Sequence, residues 1–163
     1  MERYFYDFHL HSCLSPCADN DMTPSNIAGM GMLAGLQILA LTDHNSTANC
    51  PAFFRAAEAV GVIPVPGMEL ETAENIHVVC LFGTLSGAMS FGEEVAGMRF
   101  PIKNRPEIYG EQLIVDHEDN IGPTRSSSSS RPNQAHRSAG DSRPPRRRLL
   151  PGASTDPRTA NRD

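Results

Sequence analysis

The stretch DFHLHS, residues 7–12, decides the fold of this 163-residue chain. The residues just before it are aromatic and favour strands, so the run predicts a short buried strand with His9 and His11 at its carboxyl end. Side chains two residues apart on a strand share a face. Two imidazoles on one face of a rigid strand can hold a metal ion, although a histidine pair on a solvated surface would have the same spacing.

Apolar runs alternate with helical patterns over the first eighty residues. Strands are predicted at residues 4–8, 36–41, 62–66 and 76–82, and amphipathic helices at 24–35 and 47–60. The predicted core-facing residues of these helices are Ile27, Met30, Leu33 and Ala34, then Phe53, Phe54, Ala57 and Val60. Strands that alternate with helices predict an α/β fold with a parallel sheet. The prolines at 64 and 66 suggest that the third strand lies at an edge or has an irregular end.

Polar side chains of metal-binding type follow the predicted strand ends. His9 and His11 end the first strand, Asp43 and His44 follow the second, and Glu69 comes shortly after the third. In parallel α/β sheets, ligands bind beyond the carboxyl ends of the strands. We therefore expect these five side chains to meet at one rim of the sheet.

Charge is distributed unevenly along the chain. Residues 1–121 carry five Lys or Arg against sixteen Asp or Glu, whereas residues 122–163 carry nine Arg against three Asp, so the overall charge of −5 describes neither part. An acidic region with carboxylates near histidines suits cations better than nucleic acid.

Hydropathy and cysteine usage indicate the compartment. The sequence shows neither a positively charged leader before an apolar run nor an apolar stretch of bilayer length, so we expect a cytoplasmic protein without membrane contact. Cys13, Cys17, Cys50 and Cys80 are then expected to be reduced thiols. A structural zinc site at Cys13 and Cys17 is disfavoured because no second CxxC-type pair completes it.

The composition changes abruptly near Gly122. Residues 112–116 predict a strand that enters a hairpin with a turn at Asp119-Asn120, but the second arm, which should begin near Ile121, does not follow in the sequence. Beyond Gly122, Arg, Pro and Ser dominate, and such a segment buries too little apolar surface to offset its ordering entropy. We predict a folded part at 1–121 and a disordered tail at 122–163. A shift of reading frame near Gly122 would explain the change, and translating the neighbouring frame would test it.

Four motifs in this chain resemble those of a known superfamily. They are His9-Leu10-His11, Thr42-Asp43-His44, Gly67-Met68-Glu69 and Ile76-His77. In identity, order and spacing they are similar to the first motifs of the PHP (polymerase and histidinol phosphatase) superfamily, over about residues 4–82 and more weakly to 121. The resemblance implies a (β/α)7-type PHP barrel, here partial and limited to the N-terminal βα units, with two or three divalent Zn, Mn or Fe ions at its rim.

The resemblance also implies roles for individual residues. His9 and His11 would hold one metal ion, Glu69 would bridge it to a second, and His44 and His77 would be further ligands. Asp43 would orient a histidine from outside the metal shell.

The loop ligand of the family, an acid or a histidine shortly after the HxH pair, has two candidates here. Aligning on Thr23-Pro24 places Asp19 at this position across a small insertion, and Cys17 is the competing ligand. Asp19 could equally be a plain turn residue. His117 and His136 have no partner motif, so they are expected at the surface.

The later motifs of the family, a mid-barrel histidine and a terminal Asp-x-His pair, do not follow in this sequence. Asp116 and His117 are adjacent instead of spaced by one residue. The resemblance therefore implies a truncated barrel that lacks several ligands and is weakly active or inactive.

The chemistry implied by the resemblance is phosphoester hydrolysis by a metal-bound hydroxide. No side-chain nucleophile is needed, and the sequence contains neither a GxSxG elbow nor a Walker loop. We expect a small phosphorylated substrate or a nucleotide. The alternatives are a non-catalytic metal-binding or DNA-polymerase-associated module, and nucleic-acid binding through the Arg-rich tail.

Overall fold

The computed structural model describes residues 3–99 and 104–122. Within these residues the strands are β1 (Tyr6–Leu10), β2 (Ile38–Leu41), β3 (Ile63–Glu71) and β4 (His77–Leu81). The helices there are α1 (Pro24–Leu33), α2 (Cys50–Ala59), α3 (Leu85–Met98) and α4 (Pro106–Tyr109). The strands form one sheet in the order β1-β2-β3-β4. This confirms the predicted α/β fold and its partial barrel.

The first three strands are parallel and the fourth is reversed. β2 pairs in parallel with both β1 and β3, whereas β4 runs antiparallel to β3 with His77 opposite Glu71. A tight turn at residues 72–76 joins these last two strands, and Asn75 within it has a positive φ of 59°. Because β4 is reversed, His77 at its start lies at the rim where the parallel strands end.

β3 is longer than predicted and lies inside the sheet, so of the two predicted explanations for its prolines the edge position is excluded. Residues 63–66 pair with β2, and β4 pairs with β3 only from Gly67 onward. The Ile63 N–H points to β2, where it donates to the carbonyl oxygen of Gln37. Side chains and N–H groups alternate along a strand, so Pro64 and Pro66 lack N–H groups on the opposite side. That side has no ladder until β4 begins.

The prediction that β1 is buried is also wrong. In the described part of the chain β1 pairs with β2 alone, and the Tyr6 side chain, stacked on Phe8 with ring centroids 4.5 Å apart, is 61% exposed. The register shifts between Asp7 and Leu10, and the His9 N–H donates to the Asp7 carboxylate. A bulge of this kind re-aims the side chains beside it, here those of the histidine pair.

The core lies between the sheet and the two connecting helices. Its fully buried residues include Leu39, Leu41, Phe53 and Ala57. On α2 the predicted Phe53 and Ala57 are buried, with Phe54 and Val60 at the margin.

The predicted face of α1 is partly wrong. Met30 and Leu33 are exposed, and the face that packs on the sheet instead contains Ile27, Ala28 and Gly31. A side-chain carbon added at Gly31 would overlap the side chain of Leu39. The small residues thus let α1 approach the sheet closely, which apolar spacing alone does not reveal.

The remaining predicted elements are present where the structure describes them. Thr23 and Thr84 cap α1 and α3, each accepting a backbone hydrogen bond. A bridge between Val115 and Ile121 forms the start of the predicted hairpin. The predicted tail at 122–163 lies, apart from Gly122, outside the described residues, as does His136. Over the described ranges, the helices lack the length and hydropathy to cross a lipid bilayer.

Thiol reactivity tests this fold. Burial raises the pKa of Cys50 to about 12 and that of Cys13 to about 11, and the thiolate is the reactive form. We expect an aromatic disulfide reagent at mildly alkaline pH to modify Cys17 and Cys80 quickly and the other two only in denaturant. Cys17→Ser should remove one fast thiol and Cys50→Ala one slow thiol. Rapid modification of native Cys50 would contradict the packing of α2.

Candidate metal centre

Four imidazoles surround the carboxylate of Glu69 at the carboxyl rim of the sheet. Oε2 of Glu69 lies 2.9 Å from Nε2 of His9 and 3.0 Å from Nε2 of His11. Nδ1 of His44 is 3.6 Å from the same oxygen, and Nδ1 of His77 is 2.7 Å from Oε1. The centroids of neighbouring rings are 4.6 to 5.3 Å apart. The structure thus brings together five of the residues that the sequence singles out.

Backbone pairing beyond the end of β2 aligns this cluster. The Glu69 N–H donates to the Asp43 carbonyl oxygen, and the Asn45 N–H donates to the Glu69 carbonyl oxygen, at 3.1 and 2.9 Å. Asn45 adopts a positive φ of 51° and accepts from the Glu71 N–H through its side chain. The chain after β2 is therefore held against β3, and His44 pairs directly with Glu69.

The electrostatics of the cluster favour neutral rings at His11 and His44 and an ionised carboxylate at Glu69. Burial raises the pKa of Glu69, but hydrogen bonds from His9 and His77 outweigh it, so the pKa is lowered overall. Burial lowers the pKa of His11 and of His44 despite the attraction of Glu69. Metal ions bind neutral imidazole and ionised carboxylate.

Asp43 is buried behind the cluster, where its carboxylate is hydrogen-bonded to two serines. Its carboxylate accepts from the Ser12 N–H (2.7 Å), the Ser12 hydroxyl (2.6 Å) and the Ser15 hydroxyl (2.7 Å). Burial raises the pKa of Asp43, and these three donors counteract that effect. Asp43 reaches His11 only through Ser15, so its predicted orienting role is indirect.

The Ser15 hydroxyl fixes the tautomer of His11. Ser15 Oγ accepts from the His44 backbone N–H at 3.1 Å and lies 3.2 Å from His11 Nδ1. With Asp43 ionised, the single hydroxyl proton lies on the bond to that carboxylate. In that protonation state Nδ1 of His11 carries the proton that it shares with Ser15, and Nε2 is available to bind a metal ion.

The chemistry and spacing of the ligand atoms test whether a metal fits. Nε2 of His11 and Oε2 of Glu69 are 3.0 Å apart, close enough for both atoms to bind one cation. Burial disfavours a proton on His11. A metal ion about 2.0–2.2 Å from each atom spans this separation. The donor set therefore fits a divalent metal.

Ser15→Ala tests the tautomer. Without the hydroxyl, His11 Nδ1 loses its acceptor, so we expect long-range ¹H–¹⁵N spectra of the metal-free chain to show a mixture of His11 tautomers. Metal affinity should fall by about 10- to 100-fold, as for other partners of ligating histidines. Ser86→Ala, at an exposed position on α3, is the matched control. An unchanged tautomer and affinity in the Ser15 variant would refute the role of the hydroxyl.

Asn49 ties this network to the distal segment 112–115. Its fully buried side chain donates to Ser12 Oγ at 2.9 Å and to the Leu113 carbonyl oxygen at 3.1 Å. Its side-chain oxygen accepts from the Val115 N–H at 3.1 Å. The Leu113 N–H in turn donates to the Cys13 carbonyl oxygen. The loop after β1 is therefore hydrogen-bonded both to Asn49 and to the segment 112–115.

We expect Asn49→Ala to destabilise the protein. The Val115 N–H and the Leu113 carbonyl would lose partners in a buried site, at about 1–3 kcal/mol for each unsatisfied group. Urea unfolding measures the loss, and hydrogen exchange should show faster exchange at Val115. Asn20→Ala, in the exposed loop, is the control. Equal stability of the two variants would argue against a stabilising role for the Asn49 hydrogen bonds.

The two candidates for the loop ligand are placed differently. Cys17 forms a group with His11 and His44 in which one ligand atom from each residue lies within 4.8 Å of the others. Asp19 is exposed and belongs to none of the metal-type groups among the described residues. Its carbonyl oxygen accepts from the Met22 N–H in a turn. His117 is exposed, as predicted.

Sequence reasoning missed Ser12, Ser15 and Asn49. Each acts through a buried hydrogen bond to a residue at least 28 positions away. A usable signal was the serine directly after the HxH pair, since a short hydroxyl there can reach the end of the neighbouring strand.

A sheet of parallel strands with histidines and a carboxylate at its rim defines this chain as a metal-site α/β protein. The sequence profile of the PHP domain matches residues 7–134, and the chain belongs to the PHP domain family. The match extends past residue 121, so the boundary at 121/122 stays a prediction.

Individual proteins are similar to part of the chain. A 5′-3′ exoribonuclease of Haemophilus influenzae is 33% identical over 79 residues, which are 47% of this chain and 28% of that protein. An error-prone DNA polymerase of Symbiobacterium thermophilum is 32% identical over 77 residues, 47% of this chain and 7% of the polymerase. The structure of a candidate metal-dependent phosphoesterase from Bifidobacterium adolescentis covers 60% of this chain and 34% of its own, at 23% identity and a TM-score of 0.48. The chain thus spans about a quarter or less of the curated relatives.

Proposed function

We propose that this protein is a metal-dependent phosphoesterase that acts on a small phosphorylated substrate or a nucleotide. The observation that carries the proposal is the convergence of four imidazoles on one buried carboxylate. Imidazole nitrogens and carboxylate oxygens gathered this closely are a ligand set that suits a divalent cation.

The ligand atoms divide into two groups that share Glu69. One contains His9, His11 and Glu69, and the other contains His44, Glu69 and His77. Since Oε2 faces the first histidine pair and Oε1 faces His77, the carboxylate is placed to bridge two ions. Zn²⁺, Mn²⁺ and Fe²⁺ all accept imidazole and carboxylate ligands.

One side of the candidate site is buried in the protein, and the other side is open to solvent. The Glu69 side chain is 7% exposed, whereas those of His9 and His77 are 51% and 48% exposed. Two divalent ions bound here would activate a water molecule and stabilise the negative charge of a phosphoester under attack. The buried carboxylate holds the ions in place, and the exposed imidazoles leave a path for the substrate.

A cavity beside His44 offers room for the substrate. It has a volume of about 240 Å³ and is lined by His44, Thr47, Arg99 and Gln112, among others. The Arg99 guanidinium donates to the Asn45 carbonyl oxygen. A guanidinium keeps its charge at neutral pH and is a preferred partner of phosphate. Glu93 also lines the cavity, so Arg99 supports a phosphorylated substrate as a local guanidinium partner and not through a net positive charge of the cavity.

The names of the relatives support the same class of substrate. The exoribonuclease acts on RNA by its name, and the polymerase on DNA, and both substrates contain phosphodiester bonds. A non-catalytic metal-binding module is the second candidate, favoured by the alignment with a small part of a polymerase. We expect turnover to be weak, because the metal-type groups of the described residues contain a single carboxylate.

Metal analysis and hydrolysis assays on the purified chain test the proposal. We expect bound divalent metal and metal-dependent hydrolysis of aryl phosphate monoesters or diesters. His9→Ala and Glu69→Gln should lower metal content and reduce turnover by about 100-fold or more, since loss of several kcal/mol of charge stabilisation has that effect.

His117→Ala is the matched control, because this histidine is exposed and outside the cluster. Bound metal without hydrolysis of any ester would favour the non-catalytic module. Wild-type metal content and turnover in both cluster variants would refute the proposed site.

A further inference from the structure

Cys17 places a thiol beside the nitrogen ligands of the centre. One ligand atom each from His11, Cys17 and His44 lie within 4.8 Å of one another. The His11 and His44 rings are stacked, with centroids 4.6 Å apart. We propose that the Cys17 thiolate is a metal ligand and that it gives this centre a preference for Zn²⁺ over Mn²⁺. The inference rests on the proposed function only in requiring that a metal occupies the centre.

Two consecutive turns hold Cys17 in this position. The Ser15 N–H donates to the Ser12 carbonyl oxygen at 2.9 Å, and the Ala18 N–H donates to the Ser15 carbonyl oxygen at 3.1 Å. Pro16 is the second residue of the latter turn, where its fixed φ is favoured, and Cys17 is the third. These backbone hydrogen bonds therefore fix the position of Cys17.

The two turns are attached to the buried hydrogen-bond network that contacts His11. Ser15 holds the second turn against Asp43 and the backbone of His44 through its hydroxyl. The same serine thus contacts all three members of the group: the thiol residue through the turn, His11 through its ring Nδ1, and His44 through its backbone N–H. An exposed cysteine on an unanchored loop would not be held at this distance from two imidazoles.

Asp19, the competing residue, is accounted for without a metal. It begins the next turn, with its carbonyl oxygen accepting from the Met22 N–H, and Asp is favoured at the first position of such turns. Its side chain is exposed. The loop therefore presents sulfur to the centre, where an acid would present oxygen.

The difference between sulfur and oxygen has a chemical consequence. Thiolates select soft and borderline ions such as Zn²⁺, whereas carboxylates suit Mn²⁺ and Mg²⁺. When the metal binds, the thiol proton is released to solvent and the sulfur forms the new bond. A centre of imidazoles, one thiolate and one carboxylate is thus matched to zinc.

Cobalt substitution tests the proposal without any measurement of turnover. Addition of Co²⁺ to the metal-free full chain should produce a sulfur-to-cobalt charge-transfer band in the near ultraviolet. We expect Cys17→Ser to lose this band, and Cys17→Asp to lose it while retaining the visible d–d bands of bound Co²⁺. In competition between Zn²⁺ and Mn²⁺, followed by metal analysis, the bound ratio should shift towards Mn²⁺ in Cys17→Asp.

Cys80→Ser and Asp19→Ala are the controls. Cys80 pairs with Met68, one position from Glu69 and so on the opposite face of the sheet, and neither variant should change the band. Absence of the band in the wild-type chain, or its survival in Cys17→Ser, would overturn the proposal. A band in a chain that hydrolyses no ester would uphold this inference and count against the proposed function. Hydrolysis without a band would support the proposed function and count against this inference.

Discussion

The buried carboxylate of Asp43 is the group on which the arrangement of this protein depends. An ionised carboxylate in the interior is tolerated only when hydrogen bonds replace its hydration, and here all its donors come from Ser12 and Ser15. These bonds hold the loop after β1 against the end of β2. Because His11 and His44 lie at the two ends of that contact, the interaction that satisfies Asp43 also fixes the spacing of the ligands.

The α/β fold was predictable because the pattern of strands, helices and caps is local. The exposure of β1 and the buried face of α1 were not predictable, because they depend on which elements pack beside them. β1 is apolar enough to be buried but lies at the side of the sheet away from β3. On α1 the exposed Met30 and Leu33 are more apolar than Gly31, yet the small residue faces the sheet because it permits close approach. Apolar spacing predicts which residues prefer burial, whereas packing decides which are buried.

The same distinction applies to the site. His9, His11, His44, Glu69 and His77 were recognisable because each lies at a strand end or in a motif. Ser15 and Asn49 were not, because their importance comes from hydrogen bonds to distant residues that exist only in the folded chain. The sequence does not distinguish Cys17 from Asp19, since sequence distance cannot show which of two loop residues a turn directs towards the centre.

If the centre holds two divalent ions as proposed, its charges would favour a phosphate ester. Metal-bound imidazoles add no charge, so the ions would be balanced by Glu69 and, if it binds, by the Cys17 thiolate. The buried Asp43 offsets part of the remaining charge but is shielded by its own donors. A centre with this composition keeps a net positive charge on its open side, where the bound ions dominate the local field. Further carboxylates there would hold the metal more tightly but would repel a phosphate. The nitrogen-rich ligand set therefore favours an anionic substrate, and Arg99 in the adjoining cavity adds to the same field.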